Sequence, residues 1–213
     1  MRDDITSIPI SEVFEEKGGC PICRLRNILE ERTVKYITGA AMMEPDIRIE
    51  TNKAGFCNLH YKQMLDNGPK LSVALMLQSH IEHLTNTNYL TSAKSHLTCY
   101  VCDKLNRNMT QILNNLCVLW EKEMDFRTLF NNQEFICLSH CKDLINVSGK
   151  ISKKKRKDFI DATVNLTQKK AFELTEELKE FCYMFDYRSG GKASDKAKAS
   201  PENSIEWLTS RKI

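Results

Sequence analysis

Apolar residues recur every three or four positions along most of the chain, and that spacing predicts helices. Residues 24–43 carry Leu25, Ile28, Leu29, Val34, Ile37 and Ala41 close to a 3.6-residue period. Residues 103–123 form one stripe of Leu105, Met109, Ile112, Leu113, Leu116 and Trp120. A helix following His60 should stop near Asn67-Gly68, because glycine readily ends a helix. Pro69 then suits the first turn of the next helix, over about 69–86. That helix is apolar nearly all round from Leu71 to Leu84, so it is expected in the centre. A long helix should run from Ser152 to about Tyr187, with Ala171, Leu174, Leu178, Phe181 and Phe185 on one seam. The seam packs either inside the chain or against a second copy as a homodimer, and the first reading is favoured. Residues 87–98 read as a polar linker and 188–200 as a flexible one. The tail, Pro201–Ile213, reads as a short helix docked through Ile205, Trp207 and Leu208.

Composition narrows the function classes. The chain has 213 residues, 41% hydrophobic and 28% charged, with only 8 Gly and 5 Pro, which excludes wholesale disorder. Its longest apolar stretch, Leu71–Leu77, is interrupted by Ser72 and falls far short of the ~20 residues of a membrane span. No membrane partner is expected. The opening MRDDITSIPISEVFEEKGG has early acids and no apolar core of a signal peptide, so a cytoplasmic chain is expected. The formal charge of +3 is uneven, because residues 150–158 hold six basic groups and one acid. A run of this kind is more often a solvated helix start than a nucleic-acid site, though Lys153, Lys154, Lys155, Arg156 and Lys157 could touch phosphates.

Nine cysteines change the picture most. A reduced chain uses thiols as metal ligands, as nucleophiles or as small buried groups, and spacing decides among these. Cys20-Pro-Ile-Cys23 is followed after 33 residues by Cys57-Asn-Leu-His60. Cys99-Tyr-Val-Cys102 is followed after 34 residues by Cys137-Leu-Ser-His140. Glu44-Pro-Asp-Ile-Arg48 recurs as Glu123-Met-Asp-Phe-Arg127 at the same offset as the CxxC pairs, so the whole unit was copied. The fold class expected is all-α: duplicated zinc-knuckle and helix units forming a helical bundle, with a long helix and a short C-terminal tail. The domains expected are repeats over 1–95 and 96–187, the second containing the long helix, with linker and tail over 188–213.

Each repeat offers three sulfurs and one imidazole, the tetrahedral Cys3His set that zinc prefers. Metal ligands are therefore expected at Cys20, Cys23, Cys57, His60, Cys99, Cys102, Cys137 and His140. In each repeat the ion would tie CxxC to the CxxH downstream, Cys20 to Cys57 for instance. Two zinc ions per chain would take six thiol protons and lower the formal charge to about +1. Iron or an iron–sulfur cluster is the alternative. Cys117 and Cys182 read as core, Cys141 as structural, and His80-Ile-Glu-His83 as polar boundary residues rather than a small metal site.

Catalytic patterns are thin. No Glu-x-x-His, HExxH or GxSxG occurs, and four protein ligands leave zinc no open position for a substrate. The reading leans away from an enzyme. It favours a zinc-stabilised scaffold for an unknown protein or small-molecule ligand. A thiol-based redox or metal sensor, or a metal-transfer protein, is the first alternative, and nucleic-acid binding the second.

The paired CxxC…CxxH modules, Phe-Asp-Tyr-Arg at 185–188 and Ser-x-x-Trp at 204–207 resemble an uncharacterised family of bacterial cytosolic proteins. Its members often carry the label "ABC transporter substrate-binding protein". The resemblance covers nearly the whole chain and implies no established activity. The second pair, CYVC, departs from the family's CPxC by lacking the proline, and the linker before the tail is longer.

Overall fold

The computed structural model describes residues 9–91, 97–188 and 190–211. Parts of the sequence-defined N-terminus, both linkers and the tail lie outside those residues. The described chain is all-α, as expected: α1 (Ile10–Glu15), α2 (Pro21–Thr38), α3 (Pro45–Ala54), α4 (Asn58–Asn67), α5 (Lys70–Asn86), α6 (Tyr100–Lys122), α7 (Met124–Asn131), α8 (Leu138–Val147), α9 (Lys153–Tyr183), α10 (Asp195–Lys198) and α11 (Ser200–Thr209). No helix among the described residues is long and apolar enough to cross a membrane.

The chain forms two compact units. The first contains Arg26–Met109; the second joins Pro9–Leu25 to Thr110–Ile213. These boundaries fall inside α2 and α6 rather than between the sequence repeats at 95/96. The opening CxxC of each repeat thus belongs to the unit that holds the other repeat's CxxH.

Duplication is visible in the helix starts. Cys57 and Cys137 occupy the N-cap positions of α4 and α8. Glu44 and Glu123 occupy those of α3 and α7, with Asp46 and Asp125 in the first turn, where the helix dipole favours an anion. The arginines of the copied Glu-x-Asp-x-Arg both bind helix carbonyls, Arg48 one in the middle of α5 and Arg127 two in the last turn of α6. Arg48 donates to the Leu75 oxygen at 2.7 Å, and Arg127 to the Trp120 and Glu121 oxygens at 3.2 and 3.1 Å. The second motif of the repeat is a helix-start device.

In the first unit α3 packs on α5, and His80 Nδ1–H donates to the Asn52 oxygen at 2.7 Å. Gly55 ends α3 at φ 66° and ψ −162°, a region open almost only to glycine. Its carbonyl accepts the Tyr100 N–H at 3.0 Å, which ties the start of α6 to the turn before Cys57. A Cβ at this position would stand 3.0 Å from His80 Nε2. Gly55→Ala should therefore cost about 1–3 kcal/mol, measurable as a lowered unfolding midpoint, and an unchanged midpoint would refute this role.

Helix α5 is not central as its composition suggested. It buries Ser72, Val73, Met76 and His80, and leaves Leu71, Leu75 and Ile81 exposed. One wall of neighbours, α3 with a few contacts from α4, covers a single face.

The second unit has an aromatic core. Phe14 lies 5.1 Å from Phe126 and 5.9 Å from Phe130, while Phe159 lies 5.6 Å from Phe130 and 5.1 Å from Trp120. All five are buried, and each such ring stabilises by roughly 1.5–3 kcal/mol. Helix α1, which the sequence pattern did not reveal, supplies Phe14 together with buried Ile10 and Val13.

Helix α9 stops at Tyr183, and its buried seam begins earlier than expected, with Phe159, Thr163, Leu166, Thr167 and Leu174. Phe185 lies beyond the helix end and is exposed. The chain then folds back along α9. Ser194 donates its N–H and hydroxyl to the Glu180 carboxylate at 2.6 and 3.2 Å, and α10 forms where only linker was expected. The tail docks differently too: Ile205 and Leu208 are exposed, Trp207 is half-buried, and Ser200 and Ser210 are the buried ends.

Much of the basic run serves the fold. Lys155 donates to the Glu121 oxygen, Arg156 to the oxygens of Ser148, Gly149 and Ile151, and Lys157 pairs with Asp161. Arg156 thereby satisfies carbonyls at the end of the 3-10 turn Ser148–Lys150, orphans that every helix end leaves.

Candidate metal centres

All eight sequence-selected ligands converge, but not in the pairing their order along the chain suggested. Cys57 and His60 meet Cys99 and Cys102 in the first unit, and Cys20 and Cys23 meet Cys137 and His140 in the second. Each CxxC of one repeat thus joins the CxxH of the other. In the first unit the Tyr100 N–H bonds the Gly55 oxygen at 3.0 Å, which holds the second repeat's CxxC beside the first repeat's CxxH.

Every ligand pair opens a helix, with the first residue immediately before it or at its N-cap and the second in its first turn. The Arg24 N–H binds the Cys20 oxygen at 3.2 Å and the Asp103 N–H the Cys99 oxygen at 2.9 Å, which places Cys20 and Cys99 at the starts of α2 and α6. Pro21, with no N–H to lose, suits the first position of α2. Two helix N-termini therefore converge on each cluster. Their partial positive charge lowers the cost of gathering thiolates.

Within each cluster the donor atoms lie within 4.8 Å of one another. His60 Nδ1 stands 3.1, 3.2 and 3.5 Å from the sulfurs of Cys57, Cys99 and Cys102, and the Cys57 and Cys102 sulfurs are 4.0 Å apart. His140 Nδ1 stands 3.7, 3.4 and 3.1 Å from Cys20, Cys23 and Cys137, with Cys23 and Cys137 sulfurs 3.7 Å apart. A tetrahedron built on Zn–S of ~2.3 Å and Zn–N of ~2.0 Å has edges of about 3.8 Å between sulfurs and 3.5 Å from sulfur to nitrogen. The donor sets fit one small ion each.

The surroundings differ. His60 turns Nε2 to Glu30 Oε1 at 2.8 Å, and Glu30 is only 6% exposed. A carboxylate on the far nitrogen fixes the tautomer that frees Nδ1 for a metal. Sequence reasoning missed Glu30, since nothing in the pattern separates it from exposed Glu31. At the other cluster the buried Ser210 hydroxyl lies 3.0 Å from Cys137 Sγ, so the end of α11 closes over the sulfurs. Cys57 and Cys102 are half-buried, whereas Cys20, Cys23, Cys137 and His140 are all buried.

Proton affinities respond to this crowding. Burial opposes a charged His60, but hydrogen bonds to Cys99 and Glu30 outweigh it and raise its pKa to about 10. Burial also opposes a Cys99 thiolate, yet the His60 hydrogen bond and the N–H groups of Cys102 and Cys57 bring it down to about 6. Burial, then Cys99, pushes Cys102 up to about 12. In the second unit hydrogen bonds from Cys20 and Cys23 hold Cys137 far below the usual thiol range, while those to Cys137 and Cys20 push Cys23 far above it. Burial works against a charged His140, and hydrogen bonds to Cys137 and Cys20 nevertheless raise it to about 9. In each cluster one thiol is thus made more acidic and the imidazole more basic, and an ion entering would displace the remaining protons.

Other sequence candidates fall outside the clusters. His80 and His83 join no group of three or more metal-ligating side chains among the described residues. Cys141 and Cys117 are buried, and burial pushes Cys117 up to about 11. Cys182, read as core, is exposed.

No curated protein and no solved structure matches the chain. The family of unknown function DUF6062 matches it over residues 1–96 and 85–213, the whole of its length including both CxxC…CxxH repeats. The chain with two crossed Cys/His clusters therefore belongs to the DUF6062 family.

Proposed function

We propose that this protein is a non-enzymatic, zinc-stabilised helical scaffold of the bacterial cytoplasm, with two structural Cys3His sites and a surface that binds a protein or small-molecule ligand. The observation that carries the reading is the closed donor geometry. Three sulfurs and one Nδ1 surround each centre at tetrahedral spacing, and four protein ligands leave no place for a reacting molecule. Sulfur-rich tetrahedral sets favour zinc, and sulfurs this close together suit a single ion better than the several metal atoms of an iron–sulfur cluster. A reducing compartment keeps the nine thiols available.

Elemental mass spectrometry on untagged protein purified under reducing conditions should give two zinc ions per chain. Iron, or a well-folded chain without metal, would overturn the structural-zinc reading.

One observation favours a second reading at one cluster. Cys57 and Cys102 are half-buried with their sulfurs 4.0 Å apart, so a peroxide could oxidise the two to a disulfide, itself being reduced to water, and release the ion. Reversible zinc loss on mild oxidation, confined to this cluster, would shift the reading from scaffold to sensor.

A further inference from the structure

The first unit carries a cleft of about 510 Å³ between α2 and α4, within the size range of small-molecule sites. Helical spacing sets its walls. Asn27, Glu30, Glu31 and Lys35 share one side of α2, and Gln63 and Asn67 stand one turn apart on α4.

Two features mark it as a ligand site. The Gln63 Oε1 atom is buried with no hydrogen-bond partner, an unsatisfied acceptor that a ligand's N–H would satisfy. Glu31 and Lys35 stand at the four-residue spacing at which opposite charges pair on a helix, yet neither takes part in any ion pair among the described residues. Both line the cleft instead. Glu30 is committed to His60 at 2.8 Å, so Glu31 is the carboxylate that faces an incoming cation. Asn67 donates through Nδ2 to the Gln63 carbonyl oxygen at 3.0 Å, which leaves its Oδ1 as a further acceptor.

The cleft therefore offers acceptors and a negative charge beside one positive charge. We propose that it binds a free α-amino acid. The ammonium group donates to the Glu31 carboxylate and Gln63 Oε1, and the carboxylate meets the Lys35 ammonium. The amino-acid side chain fills the remaining volume. A simple amine would leave Lys35 unmatched, and a simple carboxylate would leave Gln63 and Glu31 unmatched. This deepens the scaffold reading by naming the ligand class, and it rests on that reading for the folded first unit.

The test is calorimetric titration of the metal-loaded full chain with each of the twenty standard amino acids singly, and with methylamine and acetate. Metal content is counted on every sample. At least one amino acid should bind saturably below about 1 mM. Glu31→Gln and Lys35→Gln, both exposed changes that spare the core, should each weaken it at least tenfold, and methylamine and acetate should bind at least tenfold more weakly. The inference is overturned if no amino acid binds a chain that carries two ions, if both variants bind as the parent does, or if methylamine binds equally well. A folded chain that carries no metal would overturn the scaffold reading instead, so the two failures are told apart.

Discussion

Replacing Cys20 and Cys137 together by serine is expected to leave one tightly held metal ion per chain, and replacing Cys20 and Cys57 together to leave none. The first pair removes two ligands from one cluster and spares the other; the second removes one ligand from each. Pairing within each sequence repeat would predict the reverse. Apparent binding energies of structural zinc sites run to about 10–16 kcal/mol near neutral pH, so one thiolate in four accounts for roughly 2.5–4 kcal/mol. That weakens each affected site by about 10²- to 10³-fold, enough for a competing chelator to empty both in the Cys20/Cys57 variant. Metal per chain after such competition gives the answer directly. One ion retained in Cys20→Ser/Cys57→Ser would overturn the crossed arrangement.

The eight clustered Cys and His residues were legible in the sequence and their grouping was not. A two-residue gap says that two side chains flank one helix start, which makes CxxC and CxxH readable as half-sites. It says nothing about which half-sites meet. That is decided by long-range contacts such as the Tyr100 to Gly55 hydrogen bond, which holds the second repeat's CxxC against the first repeat's CxxH. Helices α2, α5, α6 and α9 were likewise readable from periodicity, but the shorter α3, α7 and α8 were not, and neither was burial. Leu71, Leu75 and Ile81 look like core in a string of apolar residues, and α5 leaves them exposed because its neighbours pack against a single face. Phe14 shows the opposite failure. Helix α1 spans six residues, too short for a period to show, yet its phenylalanine lies at the centre of the second unit's aromatic core. Glu30 and Ser210 escaped for a related reason. A group that supports a ligand from another helix leaves no spacing signature.

Chelation should take the protein apart in two steps, the first unit before the second. Cys57 and Cys102 are half-buried, so a chelator reaches the first cluster through exposed sulfur. The second cluster keeps all four ligands buried, and Ser210 at the end of α11 lies over Cys137. Loss of either ion removes on the order of 10 kcal/mol, comparable to the whole stability of an ordinary domain, so each unit should lose helix as its ion leaves. The two tryptophans make the order visible, because Trp120 and Trp207 both belong to the second unit. Far-ultraviolet circular dichroism should fall in the first step with tryptophan fluorescence unchanged. The second step should release the remaining ion, free the tail and shift the fluorescence of half-buried Trp207 and buried Trp120 together. A fluorescence change in the first step would reverse the assignment of the labile cluster. Full helicity after both ions are gone would mean that burial of the Phe14, Phe126, Phe130 and Phe159 core holds the fold without metal.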